Sequence, residues 1–174
     1  MSKAKISAGL LLYRFSGGRL EVLVAHMGGP FWASKDEGAW SIIKGECEER
    51  EDAYAAARRE FNEETGSQAP DGPVIELGEV RQPSGKRITA WAIEGGFDPS
   101  RIKSNAFSLE WPPGSGKRQE YPEIDRADWF DATTARLKLV KGQVPFIDVL
   151  ERCLHETVHT HGVGRCANPS RPVS

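Results

Sequence analysis

Glu60, Glu63 and Glu64 sit in one short run, Arg59-Glu60-Phe61-Asn62-Glu63-Glu64-Thr65-Gly66. On a helix of about 3.6 residues per turn, residues three and four apart are neighbours, so these carboxylates converge on one rim. Like charges so placed weaken an isolated helix by roughly 0.2–0.5 kcal/mol per pair, and helix stability alone does not account for them. A bound cation would relieve the repulsion. Mg²⁺ takes hard oxygen ligands, keeps several waters and shares its shell with substrate phosphates, which suits carboxylates projecting from one turn. The competing reading of the same residues is a solvated acidic helix face. Their flanks decide between the two.

With those flanks the segment runs Gly45, five residues, Glu51, seven residues, Arg59-Glu60, an apolar residue, any residue, Glu63-Glu64, any residue, Gly66. It resembles the Nudix box, with every charged and glycine position present and Phe61 as the apolar residue. So many fixed positions make a specific signal. Ser67 departs, standing where the family usually has an aliphatic side chain, at a position that packs rather than reacts. The resemblance covers roughly Ser7 to Leu150. It implies an α/β (α+β) Nudix fold, a mixed β-sheet sandwiched between helices, with the box as loop, helix and loop. It also implies that Glu60, Glu63 and Glu64 ligate Mg²⁺ or Mn²⁺, that the Gly45 carbonyl can join them, and that Arg59 orients a glutamate by ion pairing. A planar guanidinium fork suits that last role. Glu51 opens the helix, where the macrodipole favours a negative side chain, and its expected role is structural.

The elements that must position these groups follow from runs and breakers. Asp52 is an N-cap candidate, residues 53–61 contain no Gly, Pro or β-branched side chain, and Gly66 is the natural stop. Ala8 to Phe15 and Leu20 to His26 read as strands joined through Ser16-Gly17-Gly18. Val74 to Val80 and Arg87 to Ile93 read as two more around Pro83-Ser84-Gly85. Asp128-Trp129-Phe130 is a short strand candidate, and Val144 to His155 an amphipathic helix with Pro145 in its first turn. There is no internal repeat. The expected organisation is one Nudix domain over residues 1–152 and a flexible C-terminal tail over 153–174.

A net charge of −2 with 28% charged residues gives no electrostatic case for duplex nucleic acid. No long apolar run predicts a membrane span, and Met1-Ser2-Lys3-Ala4-Lys5 lacks a signal-peptide core, so a cytoplasmic protein is expected, as monomer or homodimer. Cys47, Cys153 and Cys166 show no disulfide spacing.

Outside the box, Nudix hydrolases often carry a further glutamate shortly before a strand that begins with tryptophan, and Glu123, ahead of Trp129, is similarly placed. It is a candidate metal ligand or general base; Glu120 competes with it, and a solvated loop carboxylate is the alternative for either. Lys44, just before the box glycine, resembles the lysine of dinucleoside and inositol polyphosphate hydrolases, although Ile43 replaces the usual proline. It is a candidate phosphate contact. Phe31 or Trp32 can stack on a nucleobase or anchor their loop against the core. Lys86 and Arg87 can grip distal phosphates or face solvent. Trp111-Pro112-Pro113-Gly114-Ser115-Gly116-Lys117 lacks the upstream glycine and the hydroxyl residue of a phosphate loop and is rejected. Cys153, His155, His159, His161 and Cys166 are zinc candidates whose spacing fits no standard finger.

These features predict metal-assisted hydrolysis of a pyrophosphate linkage in a nucleoside diphosphate derivative, by direct attack of water and without a covalent enzyme intermediate. The layout is nearest to the diadenosine tetraphosphate hydrolases, so a nucleoside or dinucleoside polyphosphate is the first expectation. An NTP pyrophosphohydrolase is the second, and a Nudix-like domain that binds a nucleotide without cleaving it is the reading from another class.

Overall fold

The computed structural model describes residues 5–159. Strand β1 (Ile6–Ser16) turns into β2 (Arg19–Met27) through Gly17 and Gly18, both at positive φ, as a tight two-residue hairpin requires. The two strands pair only over Tyr13 to Ser16 and Val22 to Arg19. Beyond that point they diverge, and β3 (Trp40–Ser41) and β4 (Ile43–Glu46) fill the wedge, β3 pairing with β2 and β4 with β1. Both are antiparallel to their partners. Gly9 lines the wedge because a Cβ there would lie 2.5 Å from Ile42 Cδ1.

On its other edge β1 pairs in parallel with β6 (Arg87–Glu94), which pairs antiparallel with β5 (Val74–Arg81). Strand β9 (Ile124–Asp131) closes the far side against β2, giving a mixed seven-stranded sheet. A separate hairpin, β7 (Ala106–Glu110) with β8 (Arg118–Pro122), stands off it. The residues rejected as a phosphate loop are the turn of that hairpin, and no helix follows them.

Alternation along the strands sends side chains to two cores. Ala8, Leu10, Leu12 and Leu23 meet Ala56, Ala57 and Phe61 of α1 (Ala53–Thr65). Leu11, Val22, Val24, Ile88 and Ala90 meet Phe146, Ile147 and Leu150 of α3 (Val144–His159), together with Ala132 and Ala135 of α2 (Ala132–Lys138). The sheet is therefore sandwiched between helices, as expected. Asp52 caps α1 by accepting from Ala55 N at 3.0 Å, and Gly66 ends it at φ 72°.

Strands β3 and β4, helix α2 and the β7–β8 hairpin went unforeseen. Strand β9 also starts earlier than Asp128, because pairing with β2 outweighs the weak strand propensity of Asp125 and Arg126. The last helix runs past residue 152 to His159. Among the described residues no helix is long and apolar enough to cross a membrane. The absence of disulfides is corrected at Cys153, which is buried in α3 and disulfide-bonded, whereas Cys47 is free. A sulfur so engaged is no zinc thiolate. His161 and Cys166 of the same candidate set lie outside the described residues.

Candidate active site

Arg59 organises the box. Its Nε and Nη2 each donate to Glu51 at 2.8 Å, Nη1 donates to Glu60 at 2.8 Å and to Glu63 at 3.2 Å, and Nη2 also donates to the Glu46 carbonyl at 3.1 Å. The fork on Glu51 holds that carboxyl down at about 2, so it stays ionised. Glu51 thus serves as more than a helix-opening charge. It fixes the guanidinium that in turn holds Glu60, tying the loop before α1 to the helix and to β4.

Glu60 is 8% exposed and lies directly over Gly45 of β4. A Cβ on Gly45 would fall 1.9 Å from the Glu60 carboxyl carbon, so glycine is required by the close approach of helix and strand. Burial pushes the Glu60 carboxyl up, partly opposed by Arg59. Glu64, one turn on and 3% exposed, accepts from Ser104 Oγ at 2.8 Å. Burial first, and then hydrogen bonding and repulsion from Glu123, push it to about 7.

Glu64 and Glu123 line one cavity of 140 Å³ together with Lys44, Ser41 and Ile42 of the wedge and Met27. Burial, reinforced by Lys86, lowers Lys44, while Glu123, Glu46 and Glu60 pull the other way. Glu123 is held by its backbone: its N–H donates to the Asn105 carbonyl at 2.8 Å, and its carbonyl accepts from Gly28 N at 2.9 Å. The wedge wall is pinned from a distance by Gln143, which is buried. Its Oε1 accepts from Ile42 N at 2.8 Å and its Nε2 donates to Ser41 Oγ at 3.0 Å.

The remaining candidates divide. Glu63 stands outward, its side chain 41% exposed and held by Arg59. Lys86 approaches the wedge, 3.6 Å from Glu46. Arg87 pairs with Glu79 of β5 at 3.7 Å and does not line the cavity. Glu120 lies exposed on β8 opposite Ser108. Trp32 packs against the α3-side core, and Phe31, edge-on to it at 4.9 Å, is 56% exposed with Lys35 Nζ 3.6 Å above its ring. Sequence reasoning missed Ser104, Gln143 and His26. His26 is buried in β2, with Nδ1 2.8 Å from Asp125 and Nε2 2.7 Å from the Lys35 carbonyl, so it joins the loop after β2 to β9. A loop serine and a glutamine after a glycine carry no local signal.

Among the described residues no three His, Cys, Asp or Glu side chains are gathered tightly enough to hold an ion as they stand. The donor set nonetheless fits a hard divalent cation: Glu60 and Glu64 are buried carboxylates whose ionised forms repel each other and Glu123. A small cation would favour the charged state that burial opposes.

A NUDIX domain model matches residues 3–150. Over 102 residues, 59% of the chain, the sequence is 30% identical to a Myxococcus xanthus protein named octanoyltransferase; the match spans 25% of that protein, so the chain accounts for about a quarter of its length. The fold is similar to the NUDIX domain of Shewanella oneidensis NrtR, solved with ADP ribose, at a TM-score of 0.62 and 15% identity over 88% of this chain and 90% of that one. It is also similar to a Caenorhabditis elegans Ap4A hydrolase in a binary complex, at a TM-score of 0.59 and 18% identity over 88% and 99% of the two chains. Since the family model takes in nearly the whole described fold, the chain belongs to the NUDIX domain family.

Proposed function

We propose that the protein hydrolyses a phosphoanhydride bond of a nucleoside polyphosphate, a dinucleoside polyphosphate before others, with Mg²⁺ or Mn²⁺ as cofactor. The observation that carries this reading is the meeting of Glu64, Glu123 and Lys44 around one small cavity, with Glu60 near enough to act electrostatically on Lys44 and Glu64. A divalent ion held by Glu60, Glu63, Glu64 and the Gly45 carbonyl would screen phosphate charge and acidify water. The chain's own groups do the rest. Lys44, with its ammonium facing the carboxylates, binds a phosphate oxygen; Arg59 keeps Glu60 in place; Glu123, exposed at the cavity mouth, takes the proton from the attacking water. Lys86 lies close enough to the wedge to meet a further phosphate, and the exposed Phe31 face, with Trp32 behind it, offers a platform for a base.

The Ap4A hydrolase fold likeness supports the polyphosphate reading, and the likeness to a domain solved with ADP ribose keeps nucleotide diphosphate derivatives in the same class. Incubating the protein and Mg²⁺ with diadenosine polyphosphates, NTPs, ADP-ribose and inositol pyrophosphates, and separating products by ion exchange, tests it. Fastest turnover of a dinucleoside polyphosphate is expected. Turnover of NTPs alone would reassign the substrate, and tight binding of one compound with no turnover of any would overturn the enzymatic reading.

A further inference from the structure

Ser104 belongs to the connection between the α1 side of the molecule and the β7–β8 hairpin, and nothing in its sequence surroundings marks it. Its hydroxyl makes three contacts: 2.8 Å to Glu64 Oε2, 2.9 Å from the Ile124 N–H, and 3.0 Å to the Asn105 carbonyl. A serine hydroxyl has one proton and two acceptor positions. It accepts from Ile124 and gives its proton to one of two oxygens; an ionised carboxylate is the stronger acceptor, and it is also the nearer one.

The chain around Ser104 is anchored on both sides. Ile102 packs with the α1-side core, and the Lys103 stem lies beside Gly66 at the end of α1, 3.6 Å from where a Cβ would stand. Asn105 accepts from Glu123 N. Helix α1 and the first residues of β9 are therefore joined through one hydroxyl, and the two carboxylates that it links, Glu64 directly and Glu123 through the neighbouring peptide, face the same cavity.

We propose that Ser104 is a positioning residue for the metal site: it fixes the Glu64 carboxylate relative to Glu123. This rests on the metal-dependent reading above. Groups that orient ligand carboxylates typically change metal affinity by roughly 10–100-fold when removed.

The test is Mn²⁺ titration followed by electron paramagnetic resonance on wild type, S104A and S104T, with melting temperatures measured in EDTA. S104A is expected to weaken Mn²⁺ binding by roughly tenfold. S104T keeps the hydroxyl and is expected to stay within about twofold of wild type. A purely structural serine would lower the melting temperature and leave the affinity where it was, so unchanged Mn²⁺ binding in S104A overturns the inference. If S104A does not fold, S104T decides: affinity lost as far as tenfold with the hydroxyl in place also overturns it. Wild type that binds no Mn²⁺ would overturn the metal reading and the inference with it, whereas wild type that binds with an indifferent S104A sinks the inference alone.

Discussion

Replacing Gly45 by alanine puts a methyl group 1.9 Å from the Glu60 carboxyl carbon and 2.0 and 2.4 Å from its oxygens, where contacts under 3.0 Å are not found. Glu60 must then move by about 1 Å, which breaks the 2.8 Å bond from Arg59, or β4 must lift, which breaks the 3.1 Å bond from Arg59 to the Glu46 carbonyl. A hydrogen bond to a charged partner contributes about 1.5–3 kcal/mol, and misplacing a catalytic group by about 1 Å can cost roughly 100-fold in rate. G45A is therefore expected to lose about 100-fold in kcat and, taking about 2 kcal/mol, about 4–8 °C in melting temperature for a chain of this size. Gly96 has nothing within 4 Å of its virtual Cβ, so G96A serves as the silent control. The assay is Mg²⁺-dependent cleavage of diadenosine tetraphosphate alongside thermal unfolding. G45A with more than about half of wild-type kcat would refute the argument that the helix-to-strand approach fixes Glu60.

Arg59→Lys keeps the charge but loses the fork that spans Glu51, Glu60 and Glu63, so kcat should fall by about 100-fold or more; near-normal turnover would show that charge alone suffices. Glu64, raised from 4.5 to about 7, keeps its proton in the folded state while the unfolded chain releases it. In EDTA its contribution should lower stability as pH climbs through that window, by up to about 3 kcal/mol. Urea unfolding at pH 5 and pH 8 checks this: E64Q should flatten the slope and Mg²⁺ should offset the loss at pH 8, while a wild-type slope identical to that of E64Q refutes it. Asp52→Ala removes the cap on Ala55 N and should cost about 1 kcal/mol in the same unfolding assay. Lys44→Met should raise KM for a polyphosphate by about tenfold or more, and an unchanged KM would remove Lys44 from phosphate binding.

The box helix was legible because each signal in it is local: a cap, a run of helix formers, a glycine stop and charges at helical spacing. The long strands were legible for the same reason. What escaped depends on partners far along the chain. Strands β3 and β4 are too short to show a period, and they exist because β1 and β2 splay apart. After β2 a Cβ on Gly28 would lie 1.9 Å from the Pro122 carbonyl and one on Gly29 would lie 2.9 Å from the Phe107 ring, close approaches that no local signal marks. The carboxylates themselves were only half legible. Helical spacing set Glu60, Glu63 and Glu64 on one rim, whereas Arg59 draws Glu63 outward and Ser104 turns Glu64 inward.

The bond from Ile42 N to Gln143 spans 101 positions of sequence and has a practical consequence. A shortened version that stops after α2 would contain the whole box, Lys44 and Glu123, and would still lack the amide that pins the cavity wall. Ile42 N–H would be left buried without an acceptor, and the Phe146, Ile147 and Leu150 side of the core would be stripped. Cloning, fusion or circular permutation of this module should therefore keep the stretch from Gln143 through Leu150 attached, and a new terminus belongs at the Gly17-Gly18 turn, where nothing lies within 4 Å of either virtual Cβ.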